Sequence, residues 1–574
     1  MKKLRLYLLV CSLFSILCIT HTGCEQQQVE DVRTNWLKDT HASITDTQKI
    51  GQLFCLTVDP IRYYIYPDYK ETINLLIKKY KPGAINLSTI RETWKLETLN
   101  DFHGGKLLAE INTMRDQSDL PLLFGAEFEN GAWFWDKTAT RFPFPMAIGA
   151  TQSDDFAYRQ GKITAIEAKV QGINWIFAPV VNLYNFFEDP YKIRSFGSDT
   201  ELVSKLGQNF IKGCQETGVA ACIKYFPSEM FTSSTVNENG NLISFSEGID
   251  AGVLSIMCSD LDPNNKAIME SGNTIKEVIR NQLGFDGLIV SALNKNINAP
   301  IPSRERMATI LTCLNAGYNM LILPETDKTE IPSIDLMLNE ADKHNLDMKL
   351  IDSAIEKVLV MKDKLKLNEI DNVIPSSGIA GIGLDEYHTT AAKISNESIT
   401  LVKNDDNILP YNYDNQYIVS INIMDEFSVF EGSVYYSKLI EKYKNIKNLN
   451  IAGEPDARIK REVMRRASEA DVIICSLFIR PNHTESVQTE KAFELIKNVL
   501  KTNDNITIIS FYSPYLINTF PEAKGFIATY SPAEHSMDAA IEVIFGNLNP
   551  KGKLPAPLSD KYPIGTGLRH DHLN

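Results

Sequence analysis

The chain has 574 residues, 44% of them hydrophobic and 23% charged, with a net charge of −14 at pH 7. That length exceeds one ordinary core and predicts two large domains, and the composition is that of a globular protein rather than a disordered or bilayer-spanning one. The acidic balance repels phosphate backbones, which argues against nucleic acid as a partner.

At the N-terminus, Lys2, Lys3 and Arg5 precede an apolar run from Leu6 to Ile19 that is too short for a comfortable transmembrane helix. "THTGCEQQQ" follows, with Gly23 directly before Cys24. The pattern resembles a bacterial lipoprotein signal, although His21 stands where an aliphatic residue is usual. The resemblance implies a signal peptide over 1–23, a linker over 24–45, and lipidation of Cys24. The mature protein would then be exported and held in the cell envelope, on the periplasmic side or the cell surface, touching the membrane only through its lipid. A plain secretory signal and an uncleaved anchor are the alternatives. Of the other cysteines, Cys55 in "GQLFCLTV" and Cys475 in "VIICSLFI" sit in apolar stretches, as buried free thiols do. No C-x-x-C or His/Cys cluster suggests a metal.

The chain then repeats one theme. Helix-like "ETINLLIKKYK" leads to the strand "GAINLST", and a strand at Leu122 to Ala126 precedes "EFENG". Helical "DDFAYRQGKITAIEAKVQG" leads to "INWIFAPVV", and "VSKLGQNFIKGCQETG" to "VAACIKYFP". "SEGIDAG" precedes "VLSIMCSDLD", "IKEVIRNQLGFDG" precedes "LIVSALN", and "RMATILTCLNAG" precedes "YNMLILPE". Strands alternating with helices pair in parallel, and this many units predicts a closed (β/α)8 TIM-like barrel over 46–368. The residues just beyond each strand then form the functional face.

A linker is predicted over 369–388 and a second α/β domain over 389–574. Its strand-like runs "QYIVSINIMD", "ADVIICSLFI", "NITIISFYSP" and "GFIATYSP" predict an open parallel sheet, an α/β/α sandwich covered on both faces. It holds no G-x-G-x-x-G and no P-loop, so no nucleotide and no other cofactor is expected.

Several blocks carry a family resemblance: "FPFPMAIGAT", "GINWIFAPVVNL", "RSFGSDTELVSKLGQNFIKGCQETGVAACIKYFP", "GFDGLIV" and "AGYNMLILP". They resemble glycoside hydrolase family 3, in particular its bacterial β-N-acetylhexosaminidase branch. "ESITLVKNDDNILP" and "YSPAEHSMDAAIEVIFGNLNPKGKLPAPL" are similar to the family's C-terminal domain, and the match runs in order over nearly all of 46–567. The resemblance implies a retaining glycosidase, which needs a carboxylate nucleophile and a separate acid/base group flanking the scissile bond.

Both groups are missing. The family's nucleophile is an aspartate in a Ser/Thr-Asp-Ala-Leu pattern, whereas here Ser291 runs straight into Ala292. The family's acid/base histidine follows a Lys-His-Phe-Pro strand. Here Tyr225 follows Lys224, Ser228 and Glu229 replace Gly-His, and no histidine occurs between His103 and His344. Weak candidates for relocated carboxylates are Glu229, Asp260 and Asp262. Asp286 lies before its strand, on the wrong end of the barrel.

By the same resemblance, Glu127, Arg194 and Lys224 match positions that hold the sugar, with residual ion pairing as their bland alternative. Trp133 and Trp135 could stack on a sugar or simply pack their loop. Three functions follow: an impaired family member that still binds N-acetylglucosamine-type glycans such as peptidoglycan fragments, an active β-N-acetylhexosaminidase with relocated carboxylates, or a protein-interaction scaffold.

Overall fold

The computed structural model describes residues 36–88, 102–183, 192–226, 240–258, 275–292, 303–325, 328, 330–369, 381–481, 484 and 486–570. Eight parallel strands form the first sheet. They are β1 (Phe54–Val58), β2 (Ala84–Leu87), β3 (Leu123–Ala126), β4 (Trp175–Ile176), β5 (Ala220–Phe226), β6 (Ser255–Cys258), β7 (Leu288–Ser291) and β8 (Leu321–Ile322). Each strand pairs with the next, β8 pairs back onto β1, and a parallel bridge from Val290 to Met320 joins β7 to β8. This is the expected barrel. Its first strand lies in "GQLFCLTV", recognised above only as an apolar run; all five β1 residues are buried, so no alternation marked it as a strand.

Large side chains fill the barrel. Cys55, Leu123, Trp175, Cys222, Met257 and Val290 pack together, closed off by Val358 and Met361 from the helix Met348–Lys364 and by Leu365 at its C-terminal cap. Trp175 Nε1 donates to Ser255 Oγ at 2.8 Å, which satisfies the one polar atom of that indole. The outer helices follow the amphipathic rule. Thr200–Gln215 buries Val203, Leu206, Phe210 and Cys214, and Asp199 caps its N-terminus by accepting from Leu202 N–H. The segment Ile275–Gln282 is π-helical rather than the expected α-helix, and Leu283 N–H continues the five-residue spacing onto Val278 O at 2.9 Å. Cys55, Cys214, Cys222, Cys258, Cys313 and Cys475 are buried free thiols, and burial pushes the Cys222 thiol up to about 12.

The second sheet holds β9 (Thr400–Asn404), β10 (Ile418–Met424), β11 (Lys447–Ala452), β12 (Val472–Phe478), β13 (Ile506–Ser510) and β14 (Gly525–Ala528). Their order is β11-β10-β12-β13-β14-β9. The sheet is not wholly parallel as expected, because β9 runs antiparallel to β14 at one edge. The opposite edge strand, β11, buries only Ile451 fully, with Leu449 half-buried beside it, so its hydrophobic alternation is short and weak.

The two domains share a core. Met146, Ala147 and Ala150 from the helix Pro145–Thr151, with Ile193, pack among Leu401, Leu554 and Leu558 of the second domain. Backbone bonds from Ser198 N–H to Pro555 O and from Lys553 N–H to Ala150 O, both 3.0 Å, stitch the same junction. A Cβ at Gly197 would meet Pro555 O at 2.4 Å, so only glycine permits this approach. Among the described residues no helix is long and apolar enough to cross a membrane.

Candidate functional site

The C-terminal ends of β3 and β5, with the turn after β4, bring together a compact charged cluster. Glu127 directly follows β3, Glu129 lies two residues on, Arg194 ends a 3-10 turn over Lys192–Arg194, and Lys224 sits within β5. Lys224 is fully buried, with Nζ 2.6 Å from Glu129 Oε1 and 3.4 Å from Glu127 Oε1. Arg194 grips Glu129 as a fork, Nε donating to Oε2 at 2.6 Å and Nη2 to Oε1 at 2.5 Å. The same Nη2 stands 3.6 Å from Glu127 Oε2. Glu129 has a side chain 6% exposed, whereas that of Glu127 is 55% exposed.

These positions set the charges. Desolvation pushes Glu127 up, but the charges of Lys224 and then Arg194 outweigh it and hold the carboxyl down at about 2. Burial likewise opposes ionisation of Glu129, and Arg194 and Lys224 again prevail, leaving it below the usual carboxylate range. Lys224 is raised despite its burial, because Glu127 and Glu129 both face it. The cluster is therefore fully ionised and electrically balanced.

Tyr225 follows Lys224, where the resemblance leads one to expect a histidine. Its hydroxyl accepts from Arg194 Nη2 at 3.1 Å, and burial pushes its ionisation up, so it is a neutral phenol. Asn182, just after β4, anchors it: Asn182 Oδ1 accepts from Tyr225 N–H at 2.5 Å and Nδ2 donates to Tyr225 O at 2.9 Å. Asn182 O in turn accepts from Ser195 Oγ at 2.6 Å, next to Arg194. This network fixes the backbone on which the cation and the phenol stand.

At the end of β7, Ser291 is buried and its Oγ accepts from Ile322 N–H at 3.0 Å. Ala292 follows, 8% exposed, within the barrel-filling cluster. Asp286 pairs with Lys357 at 2.6 Å before β7, away from the mouth. Glu229, Asp260, Asp262 and Cys24 lie outside the described residues. Trp135 is 4% exposed and packs edge-on against Phe128 and Phe134, each at 5.4 Å, which is loop packing. Among the described residues no group of three or more His, Cys, Asp or Glu is placed to hold a metal ion.

Comparison with known proteins places this scaffold. Residues 45–361 match the model of the glycosyl hydrolase family 3 N-terminal domain, and residues 399–563 that of its C-terminal domain. The chain belongs to glycosyl hydrolase family 3. Among curated relatives, a beta-N-acetylglucosaminidase/beta-glucosidase of Cellulomonas fimi is 24% identical over 588 residues, covering 95% of this chain and 98% of the relative. Beta-hexosaminidase A of Pseudoalteromonas piscicida is 24% identical over 608 residues, covering 90% and 97% respectively. The solved structure of a family 3 beta-N-acetylglucosaminidase from Paenibacillus sp. str. FPU-7 superposes with a TM-score of 0.74 at 21% identity, over 90% of this chain and 99% of that one. That likeness establishes the shared fold.

Sequence reasoning passed over two carboxylates of the family 3 barrel. Glu129 shares the "EFENG" loop with Glu127, and alternation along an extended segment left open which of the two turns inward. Glu325, three residues beyond β8, takes Arg62 Nη1 at 2.6 Å and the Tyr69 hydroxyl at 2.7 Å on Oε1. Its Oε2 is buried without a hydrogen-bond partner among the described residues, and burial raises the carboxyl. "LPE" after the last strand was the available signal.

Proposed function

We propose that this family 3 protein is a catalytically impaired, envelope-anchored carbohydrate-binding member that recognises N-acetylglucosamine-type glycans. The end of β7 carries the reading. Ser291 is spent on a backbone N–H and Ala292 packs into the core, so no carboxylate stands where the family pattern requires the nucleophile. The glycan class is supported by the printed activities of the Cellulomonas and Pseudoalteromonas relatives. Glu127 supplies the outward carboxylate for sugar hydroxyls, with the Arg194 edge and the Tyr225 hydroxyl beside it.

Loss of acid/base help alone costs roughly 10²–10⁴ in rate. Purified protein is therefore expected to hydrolyse an aryl β-N-acetylglucosaminide near background while giving heat on titration with chitin or peptidoglycan fragments. Turnover of order one per second would overturn the impairment, and silent titrations would overturn the binding.

A second reading, hydrolysis by relocated carboxylates, is favoured by Glu325, whose raised carboxyl and unused oxygen suit a proton donor. Activity that disappears in Glu325→Gln would select it. For the anchor, Cys24→Ala should release the protein from membranes; unchanged retention and processing would refute lipidation.

A further inference from the structure

The second sheet reverses its winding between β10 and β12. β10 lies between β11 and β12 in the sheet, so the chain leaves β10 for β11 on one side and then crosses back past it to β12 on the other. Connections that diverge from two neighbouring parallel strands leave a crevice beyond their carboxyl ends, and open α/β sheets take their ligands there. In this domain the crevice is a cavity of about 160 Å³. The turns after all three strands reach it, through Glu426, Gly453 and Ile479, and the helix Val487–Thr502 closes it with Gln488.

Its inner wall is apolar. Ile423, Met424, Ile479 and Ala492 line it and belong to the buried core of the second domain. Asp425 fixes the mouth: its Oδ1 accepts from Phe427 N–H at 2.9 Å and its Oδ2 from Arg480 N–H at 2.6 Å, which ties the turn after β10 to the turn after β12. Ser486 caps the helix, and its Oγ donates to Thr489 Oγ1 at 2.9 Å. Gly453 has a φ of 76°, and a Cβ there would meet nothing within 4 Å, so the crevice is open beside it. Two exposed lining side chains, the Glu426 carboxylate and the Gln488 amide, make no hydrogen bond or ion pair among the described residues.

An apolar wall facing a few convergent polar groups is the composition of a small-molecule site. The polar groups here are mostly acceptors, two of them carboxylates, and among the described residues no cation lines the cavity. Each Asp425 oxygen keeps a lone pair beyond the one its backbone donor takes. A ligand must therefore bring hydrogen-bond donors and no negative charge. The volume matches that of a cavity able to hold one six-membered ring, about 150 Å³. We infer that the crevice between β10 and β12 is a second binding site, which holds a single neutral, hydroxyl-rich ring of monosaccharide size. Its hydroxyls donate to Asp425, Glu426 and Gln488 while its C–H face rests on the apolar wall. The site uses no residue of the Glu127 cluster, so it stands or falls independently of what the barrel binds.

The test uses the full-length Glu127→Gln protein, in which the barrel cluster is weakened, and titrates it with glucose, N-acetylglucosamine and glucuronate by ligand-observed NMR. At least one neutral sugar is expected to bind saturably, and glucuronate roughly tenfold or more weaker, the factor that ~1.4 kcal/mol represents, because its carboxylate would face Asp425 and Glu426. Adding Gly453→Asn fills the open side with a residue that tolerates a positive φ, and should abolish neutral-sugar binding without moving the melting temperature. Gln488→Ala alters an exposed side chain, cannot disturb the core, and should weaken the same binding several-fold. No saturable binding of either neutral sugar overturns the site. So does binding that Gly453→Asn and Gln488→Ala both leave unchanged, or glucuronate bound as tightly as the neutral sugars.

Discussion

Lys224 and Glu129 meet at 2.6 Å beneath the barrel mouth, both withdrawn from solvent, while Glu127 shares the same ammonium at 3.4 Å and remains half open. One carboxylate is thus structural and the other available. The distinction separates two roles that lie two residues apart in the chain.

Glu129→Gln should therefore destabilise the fold by about 3–5 kcal/mol, because Lys224 and Arg194 would be left buried without their shared partner. Glu127→Gln should lower the melting temperature less than Glu129→Gln does, because its half-open carboxylate pairs at longer range, and should weaken glycan binding. Melting curves paired with calorimetric titration decide the matter, and the reverse pattern would exchange the two assignments.

The cluster also sets an acid limit. Glu127 in the folded state ionises at about 2, below its unfolded value of roughly 4.3. A depressed carboxylate contributes stability that is complete above the unfolded value and is lost as pH falls toward the folded one. Wild type should thus lose more stability than Glu127→Gln between about pH 4 and pH 2, measured by urea midpoints at each pH. Parallel pH profiles would contradict the charge assignment.

Lys362 predicts a slope of the same sign in a higher pH window. It is fully buried on the helix beneath the barrel, donates to Gln52 Oε1, and burial holds it down at about 7. Its unfolded value is roughly 10.4, so between the two values the unfolded chain binds more protons and stability rises with pH. Lys362→Met should remove that rise and stabilise the protein at neutral pH by an amount on the order of a few kcal/mol. A rise that survives the substitution would assign it to another group.

Ser291→Ala tests whether the β7 end is structural. The hydroxyl is the acceptor for Ile322 N–H, so its removal should cost about 1–3 kcal/mol. Glycan affinity should be unchanged in calorimetry. A selective loss of binding would return Ser291 to the ligand site.

Much of this architecture was legible because each barrel strand except β1 and β3 was read after a helical period and ended in a polar loop. β1 was hidden by its burial on both faces, and β11 by its shortness, with only Leu449 and Ile451 alternating among polar residues. Glu127, Arg194 and Lys224 were found by resemblance, and the structure does bring them together. Glu129 escaped because pairing between β3, β5 and the turn after β4 is a matter of three dimensions, with 65 residues separating Arg194 from Glu129. The crevice of the second domain was likewise invisible, since β10 and β12 are neighbours in the sheet but not in the chain.

Ile193 and Arg194 are neighbours in the chain, yet Ile193 is packed into the core of the second domain while Arg194 forks onto Glu129 at the barrel mouth. One peptide unit thus spans two cooperative units of folding. Displacing the second domain would drag the guanidinium off its carboxylate and leave a buried charge behind. Ligand recognition by the barrel then serves as a readout of whether the entire polypeptide has assembled, and a nick or truncation near residue 555 would silence a pocket to which that segment contributes no side chain.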